Sequence, residues 1–114
     1  LGKQISAVFG NDDTFTSSFI THAKLVNEQV WQMPLFQQYD HYMKSDIADL
    51  QNIGGGRYGG AITAALFLQH FVEKAKWMHF DIAGPAYNDE KPHGTVPKGG
   101  TGWGIMTFME MLKN

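Results

Sequence analysis

Apolar positions along this chain fall in short blocks, and their spacing changes from block to block. Ile5-Ser6-Ala7-Val8-Phe9 is a compact apolar run closed by Gly10-Asn11-Asp12-Asp13, which predicts a strand and then a turn. Asp12, Asp13 or Thr14 is placed to cap a helix, because a side-chain oxygen there accepts from free backbone N–H groups. The two aspartates also suit the positive end of a helix dipole. Phe15, Phe19, Ala23, Val26 and Val30 then recur at three- and four-residue steps, which is one apolar helix face. Pro34 breaks the pattern by disfavouring helical geometry in the residue before it. Residues 36–43 read as a second short helix, 46–53 fit strand and helix equally, and 54–60 are a glycine loop.

From Ala61 to Val72 the chain is apolar nearly all round, so the helix expected there is buried. Residues 77–82 read as a buried strand and 84–102 as a long Gly/Pro-rich loop of a length that usually carries function. The last helix, 103–113, places Ile105, Phe108, Met109 and Leu112 on one side. This alternation of strands and helices predicts an α/β fold, a three-layer arrangement with a mixed sheet flanked by helices. No internal repeat or internal domain boundary is visible.

A length of 114 residues fits one domain or part of a larger one. Such a chain buries roughly two-thirds of its extended surface. With nine basic and eleven acidic residues the net charge is −2, and no Lys/Arg cluster occurs, which argues against nucleic acid and anionic membranes as partners. The absence of cysteine excludes a disulfide scaffold, a thiolate metal site and a Cys nucleophile. No apolar run approaches the roughly 20 residues that cross a bilayer, and no signal peptide is visible. The chain starts at Leu1 rather than Met, which suggests a fragment of something longer.

Several patterns invite a chemical reading. Gly54, Gly56 and Gly59 fit the dinucleotide-binding spacing, a helix follows, and Asp81 ends a strand about 20 residues on, where that motif places its ribose-binding carboxylate. Five glycines among the seven positions 54–60 match many spacings by chance, however, and the preceding Asp46, Asp49, Gln51 and Asn52 suit a buried first strand poorly. A turn that lets backbone pass close to another segment accounts for the same glycines. Asp46 and Asp49 share a face only in a helix, and such residues more often cap or face solvent than bind metal. His79 and Asp81 lie on one face of the expected strand, but no Gly-x-Ser-x-Gly elbow supplies a nucleophile, so a polar pair bonded to neighbouring backbone is favoured. Histidines 22, 41, 70 and 93 show no His-Glu-x-x-His spacing. Met106, Met109 and Met111 beside Phe108 suit core filling. Lys98-Gly99-Gly100-Thr101-Gly102 lacks the phosphate-loop spacing, and Thr101 is a candidate cap for the last helix. On its residues alone the chain lacks a complete catalytic set.

Five ordered blocks carry a further likeness. They are Val30-Trp31-Gln32-Met33-Pro34-Leu35, Ala48-Asp49-x-x-Asn52-Ile53-Gly54, Gly60-Ala61-Ile62-Thr63-Ala64-Ala65-x-Phe67-Leu68, Trp77-x-His79-x-Asp81-Ile82-Ala83-Gly84 and Lys98-Gly99-x-Thr101-Gly102. Together they resemble the cytosolic leucine aminopeptidase family over nearly the whole chain. The resemblance implies a di-metal exopeptidase that removes N-terminal residues from peptides. In that family two divalent ions, zinc or manganese, polarise the scissile carbonyl and activate a bridging water. Their ligands include an Asn-Thr-Asp-Ala-Glu-Gly-Arg motif, which is absent here and would lie upstream of Leu1.

The chain is therefore expected to be the C-terminal part of the catalytic domain, without the metal-binding half, the catalytic Lys and Arg, or any metal of its own. What the resemblance assigns to it is substrate shape. Ile53, Ala83 and Ala86 match positions lining the pocket for the N-terminal side chain, and all three are apolar as a leucine-accepting pocket requires. Ala86 is small where relatives often carry a larger residue, which implies a roomier pocket. Asp81 becomes a strand-end structural residue, 54–60 a turn beside the pocket, and 84–102 a border of the active-site entrance. A cytoplasmic location and a homohexamer are implied for the complete protein. The isolated chain is expected to be inactive, and to dimerise or aggregate through its open sheet edge and apolar face. A nucleotide-binding module using the 54–60 loop, and a non-catalytic structural protein of the same fold, are the alternatives.

Overall fold

A computed structural model describes residues 1–43, 59–94 and 96–113. Its elements run β1 (Ser6–Gly10), α1 (Asp13–Leu25), β2 (Val30–Gln32), a 3-10 helix (Gln37–Met43), α2 (Gly60–Gln69), β3 (Met78–Asp81), β4 (Tyr87–Asn88), β5 (Gly99–Gly100) and α3 (Ile105–Leu112). The main sheet has the order β2-β1-β3. β2 runs parallel to β1, with Ser6 opposite Val30, and β3 runs antiparallel, with Val8 opposite Phe80 and Phe9 opposite His79. It is therefore a mixed sheet.

Strand alternation explains the layers. Ala7 and Phe9 point to one face, where Ala65 of α2 joins them and Ala61, Ile62, Met33 and Leu35 close around the contact. Val8 points to the other, as does its cross-strand partner Phe80. There the Phe80 ring lies 4.7 Å from Phe19 of α1 and 5.9 Å from Phe108 of α3. Phe19 also meets Phe108 at 5.3 Å and Trp103 at 6.4 Å, so one ring cluster fastens both helices to that face. Tilted aromatic contacts of this kind add to the burial of the rings themselves. The result is α2, sheet, then α1 with α3, which is the expected three-layer arrangement.

The first expected strand and its turn form as read. Asp12 is the cap of α1, and its carboxylate accepts the Phe15 N–H at 2.8 Å. The helix is nonetheless shorter than its apolar spacing suggested. It ends at Leu25, and Val30 belongs to β2, because residue 26 already leaves helical geometry and Asn27 takes a positive φ of 59°. Gly10 is held by proximity: a Cβ there would sit 1.9 Å from the Thr16 hydroxyl oxygen. Of residues 77–82, Met78–Asp81 form a strand that is partly rather than fully buried and, among the described residues, lies at the edge of the sheet. The 84–102 segment is not structureless, since β4 and β5 pair antiparallel across it.

The helices α2 and α3 depart furthest from expectation. α2 buries Thr63, Ala65 and Leu66 but leaves Leu68 exposed, because it covers the sheet with one face only. α3 turns most of its expected apolar side outward: Met109 is 59% exposed and Leu112 85%. Its fully buried residue is Thr107. Thr101 does not cap this helix. It lies too early in the chain, and the residue at the cap position, Gly104, has no side chain to offer. Glu28, from the corner between α1 and β2, takes the role instead. The Gly104 N–H donates to one Glu28 carboxylate oxygen at 2.7 Å, while Thr107 donates its N–H (3.1 Å) and hydroxyl (2.5 Å) to the other. The site is buried, and the negative charge meets the positive end of the α3 dipole.

Glu28→Gln keeps the shape but turns an N–H2 group toward donors that need an acceptor. It is expected to cost about 1.5–3 kcal/mol, read as a lower urea midpoint with an unchanged slope.

Candidate functional site

β3 ends at Asp81, and the chain reverses at once. The Ala86 N–H donates to the Ile82 carbonyl at 2.9 Å, which closes a tight turn over residues 82–86. Ala83 and Ala86, two of the three residues expected to line a pocket, lie in this one turn. Ala83 is exposed and Ala86 half-buried, so each contributes a small apolar surface. The third, Ile53, lies outside the described residues, as do Asp46, Asp49, Gly54 and Gly56.

Two neighbours fix the turn. On one side Gly84 lies against the Gly2 backbone, and a Cβ at Gly84 would stand 2.1 Å from the Gly2 carbonyl oxygen. On the other, Thr101 donates its N–H to the Ala86 carbonyl at 2.9 Å and its hydroxyl to the Pro85 carbonyl at 2.7 Å. An open cavity of about 450 Å³ adjoins the turn at Pro85, with Val26, Glu28, Tyr87, Thr101 and Trp103 in its lining; neither Ala83 nor Ala86 lines it. At its rim Lys3 reaches Asp89 at 3.3 Å, an exposed ion pair of small energetic worth.

Of the polar residues singled out in the sequence, His79 and Asp81 stay close enough for the carboxylate to act on the imidazole. The backbone carbonyl of Asp81, at the end of β3, accepts the Ser6 hydroxyl at 3.1 Å, and its side chain is exposed. The dinucleotide pattern requires its acidic residue on a parallel strand. Among the described residues the neighbour of β3 is β1, which runs antiparallel. His79 is enclosed by rings: Trp77 stacks on it at 6.2 Å with planes 14° apart, and Phe9 lies 5.8 Å away. Burial pushes its imidazole below the ordinary histidine value, and the Asp81 carboxylate partly opposes that shift. Among the described residues no three His, Asp or Glu side chains gather in a way that holds a metal ion.

One contributor escaped the sequence reading, and a second was legible in a different role. Glu28 stands in the polar run Asn27-Glu28-Gln29 and looks like a solvated turn residue, because its partners are 76 and 79 positions away. Thr101 was legible as a hydrogen-bonding residue, but its acceptors belong to a different strand end.

Comparison with known proteins adds a family. A model of the cytosol aminopeptidase family's catalytic domain matches residues 1–109. A probable cytosol aminopeptidase from Clostridium perfringens is 46% identical over 111 residues, which is 97% of this chain and 22% of that protein. The solved cytosol aminopeptidase of Coxiella burnetii superposes with a TM-score of 0.88 at 41% identity, covering 98% of this chain and 24% of that one. The bottromycin maturation enzyme BotP in complex with Mn gives a TM-score of 0.91 at 38% identity, covering 97% and 24%. The chain thus spans about a quarter or less of the length of these relatives.

The lowered proton affinity of His79 has a consequence for stability. Below about pH 6.5 the unfolded chain takes up a proton that the folded chain resists. Stability is therefore full above that pH, falls as pH drops toward the folded-state value, and then levels off. His79→Phe keeps a ring between Trp77 and Phe9 and removes this component. Urea midpoints measured from neutral to mildly acidic pH are expected to fall less steeply for the variant than for the wild type.

Proposed function

The chain belongs to the cytosol aminopeptidase family, and on that premise we propose that it builds part of the substrate pocket of a peptide hydrolase that removes N-terminal residues. The observation that carries this reading is the family match over residues 1–109, which includes a clamped turn presenting Ala83 and Ala86. Residues 1–114 are the C-terminal part of the catalytic domain, and Ile53, Ala83 and Ala86 line the pocket for the N-terminal side chain. Methyl-sized groups at 83 and 86 exclude water from an apolar side chain and leave room for a leucine.

The residues described here do not fit a di-metal centre, since no cluster of candidate ligands forms among them. The two divalent ions, zinc or manganese, and the groups that hold them belong to the rest of the complete protein. The solved relative BotP in complex with Mn supports a metal requirement for the family reading. The outward-facing Ile105, Met109 and Leu112 of α3 and the exposed Trp31 of β2, which lies at the sheet edge among the described residues, support the same division, because exposed apolar surface that clusters usually has a partner. The complete protein works on peptides, in the cytoplasm, as a homohexamer. The location is supported by relatives named cytosol aminopeptidases. The hexamer rests on the family resemblance alone.

Two outcomes test this. The 114-residue chain alone is expected to release no N-terminal residue from peptides with Mn²⁺ or Zn²⁺ added, and robust turnover would overturn the division of labour. In the complete protein, Ala86→Phe is expected to lower kcat/KM for Leu, Met and Phe substrates about tenfold or more relative to Ala, since a ring replaces several methylenes' worth of pocket. Equal relative rates would remove Ala86 from the pocket wall.

A further inference from the structure

We propose that Thr101 is a positioning residue for substrate selection: its hydroxyl and N–H hold the consecutive carbonyls of Pro85 and Ala86, and so fix the wall that Ala83 and Ala86 present. The inference rests on the pocket reading above and goes beyond it by naming what sets the wall's position.

The turn at 82–86 has one internal hydrogen bond, from Ala86 N–H to the Ile82 carbonyl. Pro85 lacks an N–H, so that peptide unit cannot add another donor bond of its own. Among the described residues, the outward polar ties of the carbonyls of residues 85 and 86 both end on Thr101, at 2.7 and 2.9 Å. Thr101 in turn is fixed on both sides along the chain. Before it, β5 pairs with β4, Gly99 opposite Asn88 and Gly100 opposite Tyr87. After it, the Gly104 N–H and Thr107 are bound by the buried Glu28 carboxylate. The wall is thus referenced through Thr101 to the α1–β2 corner and the core. Without the hydroxyl, the Pro85 carbonyl would turn to water while the N–H bond to Ala86 survived, and the wall would be free to shift without unfolding. A shifted wall changes which side chains fit, because discrimination among apolar side chains depends on contacts of single methylene size.

The test is kinetic, in the complete protein carrying this chain, with Leu- and Ala-initiated substrates. Thr101→Val removes the hydroxyl at constant shape and is expected to compress the Leu/Ala ratio of kcat/KM by about tenfold, chiefly through KM for the Leu substrate. Thr101→Ala is expected to do the same, and Thr101→Ser, which restores the hydroxyl, to keep the wild-type ratio. An unchanged ratio in folded Thr101→Val or Thr101→Ala overturns the proposal. So does an altered ratio in Thr101→Ser, which would assign the effect to the methyl group. Failure of both Val and Ala variants to fold, with Ser folding, would make Thr101 a structural residue and overturn it as well. If Ala86→Phe leaves the relative rates unchanged, the pocket reading itself fails. If Ala86→Phe alters them and Thr101→Val does not, only the positioning role fails.

Discussion

A five-residue strand with almost no exposed surface constrains everything around it. Ser6, Val8 and Phe9 are completely buried and Ala7 nearly so. β1 is both the middle strand of its sheet and the middle of three layers, so it must receive backbone partners at both edges and apolar cover on both faces. β2 and β3 satisfy the first demand. Ala65 of α2, on one side, and the rings of Phe19, Phe80, Trp103 and Phe108, on the other, satisfy the second. An unpaired backbone group at that depth would carry a full desolvation penalty, which is why the small Ser6 is tolerated there: its hydroxyl bonds the Asp81 carbonyl.

From that strand the order propagates outward through progressively more polar contacts. The ring cluster sets the position of α3, and the Glu28 carboxylate sets its start. Placing a charge in a buried site is costly unless it is fully paired. Three donors from Gly104 and Thr107, together with the helix dipole, supply that pairing. The start of α3 then fixes the approach of Thr101 to the 82–86 turn. A residue in the first third of the chain is thereby linked, through a run of hydrogen bonds, to the candidate pocket wall in the last third.

Family membership and local order were legible in the residues themselves. The five motif blocks named the family that the later comparison matches over residues 1–109. The strand at 6–10, the Asp12 cap and the helix after it followed from alternation, side-chain chemistry and period, all of which act within a few residues. The site was legible only in part. Ala83 and Ala86 carry no chemistry that distinguishes them from other alanines, and it was the motif around them that drew attention. Of what holds them, Thr101 was legible as a hydrogen-bonding residue but not its acceptors, and Glu28 beyond it not at all, because hydrogen bonds across 16 and 76 positions leave no period in a sequence.

The α3 helix shows where the boundary falls. Its apolar side at Ile105, Phe108, Met109 and Leu112 is a property of the sequence. Which residues of that helix are covered is a property of the packing. Thr107 is enclosed against Glu28 and Leu112 stands in the open, the reverse of what hydrophobicity ranks. Hydrophobic pattern determines which surfaces seek burial, because transfer from water depends on the side chain alone. Which of them find it, and which polar groups are buried at the cost of a hydrogen-bond network, depends on partners brought from elsewhere in the chain, and only the tertiary structure decides that.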